Sequence, residues 1–452
     1  MLQTNIPAHD RLFSNRDLVR LIIPLVIEQF LAIFIGMADT VMVSTVSESA
    51  VSAISLVDSI NVLLIQLFSA MATGGAVVAA QYLGRREPEH ACSAAKQLLY
   101  VSLAMALVIA IPSIVFCDPI LRFVFGNLSE GTMAYCRTYF YISALSYPAL
   151  ALYNGGAALL RAMGNSKASM YTSVMMNLVN VGGNALLIYG LHMEVAGAAI
   201  ASMLSRVLAA VIMIKLLLNR SSPIHLIRPT KPEPDPRMIR RIFSQGIPNG
   251  VENSIFQVGK LLVTGIVAMF AESIIAANAV SNNIATLANL PGAAIGLAIV
   301  TVVGQCVGAG NQAQARYYSM KLLKITYACM FVTNVLLFFF ARPVAGLFNL
   351  SPEGLDASTE VLQFFAVCAA FLWPASFTVP NALRAAGDAK FTMIVAVLCM
   401  WVFRIGFSYL FVYGFGMGLL GIWAGMVSDW IARAALFAWR YHSGRWLTKK
   451  VI

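Results

Sequence analysis

The chain has 452 residues, 59% of them hydrophobic and 11% charged, with a formal net charge of +11. A soluble chain carries about a quarter charged residues, so this composition excludes an ordinary soluble domain and points to membrane helices. The basic surplus is spread over alternate loops instead of gathered in one patch, which excludes nucleic acid as a partner and reads as an orientation signal.

Apolar runs of roughly 20 residues, enough to cross a bilayer, recur along the whole sequence. In the first half they predict spans at 18–43, 52–83, 93–116, 132–160, 168–190 and 194–218. In the second half the spans are 242–270, 274–308, 317–340, 357–385, 390–413 and 418–442. Several exceed the minimum, which implies tilt or protruding ends, and internal glycine and proline imply kinks covered by neighbouring helices. The first run is too long for a cleavable signal and lacks a small-residue cleavage site, so it is expected to stay as a helix. Loops on one side carry Arg16, Arg20, Arg85, Arg86, Arg161, Lys167 and the basic stretch from Lys215 to Arg241. Loops on the other side carry few cations and acids such as Asp118, Glu130, Glu194, Glu353 and Asp356. The positive-inside rule places both termini in the cytoplasm, as an even number of spans requires.

The two halves share one register. Pro24 and Glu28 recur as Pro248 and Glu252, 224 positions later, and Gln81 and Gly84 recur as Gln305 and Gly308. Tyr189-Gly190 recurs as Tyr413-Gly414 and Gly197 as Gly421 at the same offset. The expected fold is an all-α integral membrane protein: twelve transmembrane helices in two homologous six-helix lobes, repeated in parallel. The lobes are assigned to residues 1–218 and 242–452. Between them, residues 219–241 hold five prolines and many charges and are expected to form an extended cytoplasmic linker. Duplicated helical lobes are the architecture of many secondary transporters.

Five acids lie in or near predicted spans: Glu28, Asp39, Asp58, Glu252 and Asp429. A charge at the bilayer centre costs roughly 2.5–3.5 kcal/mol on insertion scales, so such residues face the bundle interior and are functional candidates. Glu28 and Glu252 each follow a helix-kinking proline by one turn. They are candidates for a proton-accepting or cation-attracting role in a cavity, together with Lys260 and Gln257. Lys260, eight residues after Glu252, is a candidate partner for it. The 224 offset aligns Asp39 with Val263, Asp58 with Asn282 and Asn180 with Arg404, so the second lobe has a cation where the first has a neutral amide. The seven cysteines form no CxxC pair and are read as packing residues, and no metal constellation is present.

Particular strings narrow the class. PLVIEQFLAIFIGMADTVMVS in the first span resembles the opening helix of the multidrug and toxic compound extrusion (MATE) family. AAQYLGR after the second span, LLRAMGNSK after the fourth, and GQCVGAG and LRAAGDAK at the matching places of the second half resemble it as well. The resemblance covers about residue 15 to 445. It implies a secondary active efflux antiporter that exports amphipathic, often cationic organic compounds in exchange for Na+ or H+ by alternating access. It further implies a functional monomer in the bacterial cytoplasmic membrane, with no cofactor beyond the coupling ion. In that family a first-helix Asp takes part in coupling-cation binding, which carries over to Asp39. Two fifth-helix positions carry over to Asn180 and Asn184, four residues apart on one face, and a sixth-helix hydroxyl to Ser202. Where relatives have a second carboxylate this sequence has Asn184. Some members place the seventh-helix acid deeper than Glu252, near Phe256 or Gln257. The alternative is a flippase for lipid-linked oligosaccharides of the same wider superfamily, which would need cavity cations to hold pyrophosphate. A membrane-embedded transferase is disfavoured because neither a DDxxD motif nor an embedded histidine occurs.

Overall fold

The structure, a computed structural model, describes residues 11–126, 128–227, 233–449 and 451–452, with the backbone alone at Met37, Ala38, Thr40 and Glu48. Residues 228–232 of the expected linker and the first ten residues lie outside that set. Among the described residues there is no β-strand, and the chain forms two compact helical units. One is Arg16–Gly250. The other is Val251–Val451 together with the described residues before Arg16.

The first unit contains α1 (Asn15–Ser44), α2 (Glu48–Gly84), α3 (Pro88–Val115), a short α4 (Cys117–Phe125), α5 (Glu130–Ala162), α6 (Ser166–Asn184) and α7 (Glu194–Leu217). Local chemistry sets the ends. Ser47 accepts from the Ala50 amide to cap α2, Ser129 caps α5 through Thr132, and Asn165 caps α6 through Ala168. Gly164, at φ +79°, closes α5 in the turn where its amide bonds Arg161 O and the Asn165 amide bonds Leu160 O. Only glycine takes that conformation cheaply. The second unit repeats the device: Gly387 at φ +99° bonds Arg384 O while the Asp388 amide bonds Leu383 O.

Helix α8 (Pro236–Val267) starts in the first unit and ends in the second, with the division at Gly250, two residues after Pro248. It begins six residues ahead of the predicted span because Asp235 caps it, accepting from the amides of Arg237 at 2.9 Å and Met238 at 3.2 Å. Hydropathy marks the membrane entry of such a helix, not its start. The described part of the connector is docked on α3. Glu233 takes an ion pair from Lys96 at 3.1 Å and its carbonyl accepts from Gln97 at 2.7 Å, while Ile224 is fully buried.

Within the first unit α8 crosses α2 at backbone contact. A Cβ added to Gly74 would lie 2.5 Å from the Gly246 nitrogen, so the crossing is closed to any side chain. Gly74→Val is expected to lower stability by about 1–3 kcal/mol through overpacking. Gly182→Ala on α6, where nothing lies within 4 Å of the added atom, serves as the control. Thermal unfolding in detergent compares the two, and equal midpoints would remove the close crossing from the account.

The second unit holds α9 (Glu272–Ala288), α10 (Leu290–Gly308), α11 (Gln312–Gly346) and α12 (Pro352–Trp373). It continues with α13 (Val379–Ala385), α14 (Ala389–Cys399), α15 (Phe407–Tyr409) and α16 (Gly418–His442). The predicted span 274–308 is two helices meeting at Asn289, because Pro291 removes an amide donor and its ring crowds the preceding turn. At the matching place α2 has Leu67 and runs unbroken. Wide π turns interrupt three places: Pro374–Thr378, Met400–Gly406 and Leu410–Gly414. The core packs edge-to-face aromatics, with Phe365 centroids 5.6 Å from Trp423 and 5.7 Å from Trp430.

Nine of the described helical spans are apolar and long enough to cross a membrane by length and composition. Three further long helical stretches, α5, α6 with the π turn Ala185–Gly190, and α8, are more polar. Their polar side chains are turned inward: Ser143, Ser146, Asn177, Asn180, Asn184, Asn249 and Glu252 are all buried. These three stretches supply many of the polar groups described next.

Candidate functional site: an acidic cluster and its inverted copy

In the first unit α6 ends at Asn184, where the backbone passes into the π turn Ala185–Gly190. Such turns shift the register of the following side chains and recur at functional sites. Asn184 Nδ2 donates to Asp39 Oδ1 on α1 and lies 3.5 Å from Asn180 Oδ1, while Asn180 Nδ2 donates to Ser202 Oγ on α7 at 2.9 Å. The structure thus joins Asp39, Asn184, Asn180 and Ser202 in one chain of hydrogen bonds across three helices. Asn184 is fully buried, and its Oδ1 has no hydrogen-bond partner among the described residues. A carboxylate, an unused amide oxygen and a hydroxyl fit a hard cation.

A second layer surrounds this chain. Asp58 accepts from Asn61 Nδ2 at 3.0 Å and from Tyr139 OH at 3.3 Å, and Tyr147 OH donates to Asn61 Oδ1 at 2.9 Å. Asp58 therefore makes the interior hydrogen bonds of a residue held in place. Arg206 on α7 donates to Ser146 Oγ at 2.7 Å and acts electrostatically on both Asp39 and Asp58. Sequence reasoning passed over Arg206, although a cation inside the span 194–218 was itself a signal. Two carboxylates against one guanidinium leave this cluster acidic.

The corresponding positions of the second unit line a small, partly open cleft of about 50 Å³. Its lining includes Lys260, Thr264, Asn278, Asn282, Arg404 and Trp423. Subtracting the repeat offset turns Lys260, Asn282 and Arg404 into Gly36, Asp58 and Asn180, and Val263, also in the lining, into Asp39. The same place in the fold is acidic in one copy and basic in the other. Arg404 lies in the π turn Met400–Gly406, with its guanidinium 5.2 Å from the Phe256 ring centroid and Nη1 3.7 Å from Asp429 Oδ2. Asp429 Oδ1 is taken by Arg433 Nε at 2.6 Å.

Glu28 and Glu252 are both buried in ion pairs. Glu28 meets Arg161 at 2.8 Å and accepts from Ser169 Oγ at 2.8 Å. Glu252 meets Arg384 at 2.5 Å, and Arg384 also bonds Thr392 Oγ1 at 3.3 Å. A Glu–Arg–hydroxyl triad is therefore built twice. Lys260 is not the partner of Glu252: at about 100° per residue, eight residues leave the two about 80° apart around the helix, and Lys260 turns into the cleft with Arg404. Gln257 is half-buried on α8 and does not line that cleft.

An all-helical chain with two copies of one lobe, a polar cluster inside each and long apolar spans is a multi-pass membrane protein of the duplicated transporter class. The chain belongs to the MatE family, whose model matches residues 24–186 and again 248–410, the two stretches starting where Pro24 and Pro248 stand. It is 30% identical over 451 residues to YisQ of Bacillus subtilis (strain 168), an uncharacterized transporter, covering 97% of this chain and 96% of that protein. A probable multidrug resistance protein NorM of Thermotoga maritima is 24% identical, covering 97% of this chain and 94% of the relative. A solved structure of a multidrug resistance MATE family transporter in an outward-facing conformation superposes with a TM-score of 0.89 at 22% identity, covering 96% of this chain and 97% of that one. That likeness shows the fold.

Proposed function

We propose that this chain is a secondary active multidrug efflux antiporter, exporting amphipathic, cationic organic compounds in exchange for Na+ or H+ by alternating access. The observation that carries the reading is the chain Asp39–Asn184–Asn180–Ser202, buried in one lobe of a MatE-family protein and holding an unused amide oxygen. Relatives bearing the name multidrug resistance protein support the cargo class. An arriving cation neutralises the excess negative charge left by Asp39, Asp58 and Arg206, and draws α1 toward α6 and α7. A proton serves the same end by neutralising Asp39 alone. In this reading both termini are cytoplasmic and the chain works as a monomer without a cofactor. The membrane potential adds about 2.3 kcal/mol per charge per 100 mV to drive the return step.

The test is ethidium export from cells or vesicles expressing the chain, with a Na+ or a proton gradient imposed separately and then dissipated. Export is expected to follow one of the two gradients and to stop when it is collapsed. Ethidium retention identical to that of empty vesicles under both gradients would sink the proposal.

A further inference from the structure

We propose that the second lobe carries an anion-binding cleft, at the position where the first lobe carries its acidic cluster, and that it takes the carboxylate of a small aromatic acid. This goes beyond the cation-coupled export proposed above and does not depend on it.

The repeat supplies the first argument. At matched positions Gly36 becomes Lys260, Asp39 becomes Val263, Asp58 becomes Asn282 and Asn180 becomes Arg404. Two carboxylates are lost and two cations gained there. Arg206 becomes Trp430 and Ser205 becomes Asp429, but Ala209 becomes Arg433, so the balance of the named charges still moves from −1 (Asp39, Asp58, Arg206) to +2 (Lys260, Arg404, Arg433, Asp429).

The base of the cleft supplies the second. Arg404 is 8% exposed and lines the cleft, yet its Nε has no hydrogen-bond partner among the described residues. Its nearest acid, Asp429, stands 3.7 Å away and already serves Arg433 at 2.6 Å. Arginine does not shed its charge, and a buried charge without full pairing is costly. Phe256 holds the guanidinium from one face and leaves the donor edge for a ligand. A planar fork of this kind matches a carboxylate in a bidentate fashion.

Lys260 supplies the third. It is exposed on the cleft, and no acid pairs with it among the described residues, since Glu252 is committed to Arg384. Three cations, Lys260, Arg404 and Arg433, therefore stand against the single carboxylate of Asp429. The rest of the wall sets the apolar side chains Val263, Val267, Ile422, Trp423 and Met426 beside the neutral polar Thr264, Asn278 and Asn282. Trp423 is fixed by its indole donating to Asn278 Oδ1 at 3.1 Å. The accessible volume of about 50 Å³ is small and the cleft is partly open, so it seats a carboxylate on the cations while the ring projects along the wall. Two cations beside a tryptophan and four further apolar side chains, with no acid among the described lining residues, select a ring bearing a carboxylate.

The experiment titrates 1-naphthoate into the full-length protein in phosphatidylcholine nanodiscs, followed by calorimetry, beside the uncharged analogue 1-naphthamide. Naphthoate is expected to bind about tenfold or more tightly than the amide, as a charge-assisted contact requires. Lys260→Gln and Arg404→Gln are each expected to remove about tenfold or more of that affinity. Lys260 is exposed, so its variant tests the idea even if Arg404→Gln does not fold. Equal binding of acid and amide, or naphthoate affinity unchanged in Lys260→Gln, overturns the proposal. A third arm adds phosphatidylglycerol: if naphthoate fails to bind while Lys260→Gln strips retained anionic lipid, the cleft is a lipid site and the proposal falls. None of these readouts uses an ion gradient, so they stand or fall separately from ethidium export.

Discussion

Asp39→Asn is expected to lower gradient-driven ethidium export by about tenfold or more while leaving the protein folded. The substitution keeps the side chain's shape, and an amide oxygen there still accepts from Asn184 Nδ2. Packing and the bonds through Asn180 to Ser202 therefore survive. What is lost is the charge. With Asp39 neutral, Asp58 and Arg206 balance, and the cluster no longer offers excess negative charge to an incoming cation. Losing a carboxylate ligand at an effective dielectric of about 20 removes several kcal/mol of attraction, more than the roughly 1.4 kcal/mol that a tenfold effect requires. The assay is the initial rate of export under each imposed gradient, normalised to the amount of folded transporter by gel filtration. Unimpaired export in Asp39→Asn under both gradients would falsify the coupling role of this cluster.

The spans were legible because a bilayer demands about twenty apolar residues in a row, and the repeat was legible because paired anchors share one offset. Even the more polar α5, α6 and α8 were recognisable, since their polar residues are isolated among apolar ones. The chain from Asp39 to Ser202 was indicated by family resemblance, with the four-residue spacing of Asn180 and Asn184 placing both on one face. The partners of the buried acids were not legible. Arg161 is 133 residues from Glu28 and Arg384 is 132 from Glu252, and no spacing rule connects such pairs before the helices are packed. The arginine did recur in both copies, within LLRAMG and LRAAG, beside a recurring hydroxyl at Ser169 and Thr392. The π turns left no trace, because one extra residue in a turn leaves composition and hydropathy as they were. The basic cleft was half visible: Arg404 stood out against Asn180, but Lys260 was matched to Glu252 along the helix instead of to Gly36 across the repeat.

Glu28→Ala and Glu252→Ala are each expected to destabilise the protein by about 3–5 kcal/mol, the cost of leaving a buried guanidinium without its carboxylate. Both pairs are nearly out of solvent, with side-chain exposures of 8% for Glu28, 15% for Arg161, 10% for Glu252 and 15% for Arg384. Each pair ties a proline-kinked helix to the end of the helix closed by the glycine turn at Gly164 or Gly387. The double variant Glu28→Ala with Arg161→Ala is expected to cost less than the sum of the two single changes, as interacting partners do. The same cycle on Glu252 and Arg384 reports on the second copy independently. Denaturation in mixed micelles measures the four stabilities of each cycle, and ethidium export is measured alongside. Glu28→Gln separates an anchor from a proton acceptor. As an anchor, the amide retains a bond to Arg161 or Ser169, and export falls only as far as the folded fraction does. As a proton acceptor, Glu28 cannot be neutralised without cost, and export would collapse in a protein of unchanged stability. The duplication favours the anchor. A group needed once for coupling has no cause to be kept in both lobes with the same arginine and the same hydroxyl, whereas the hold on a kinked helix is needed in each.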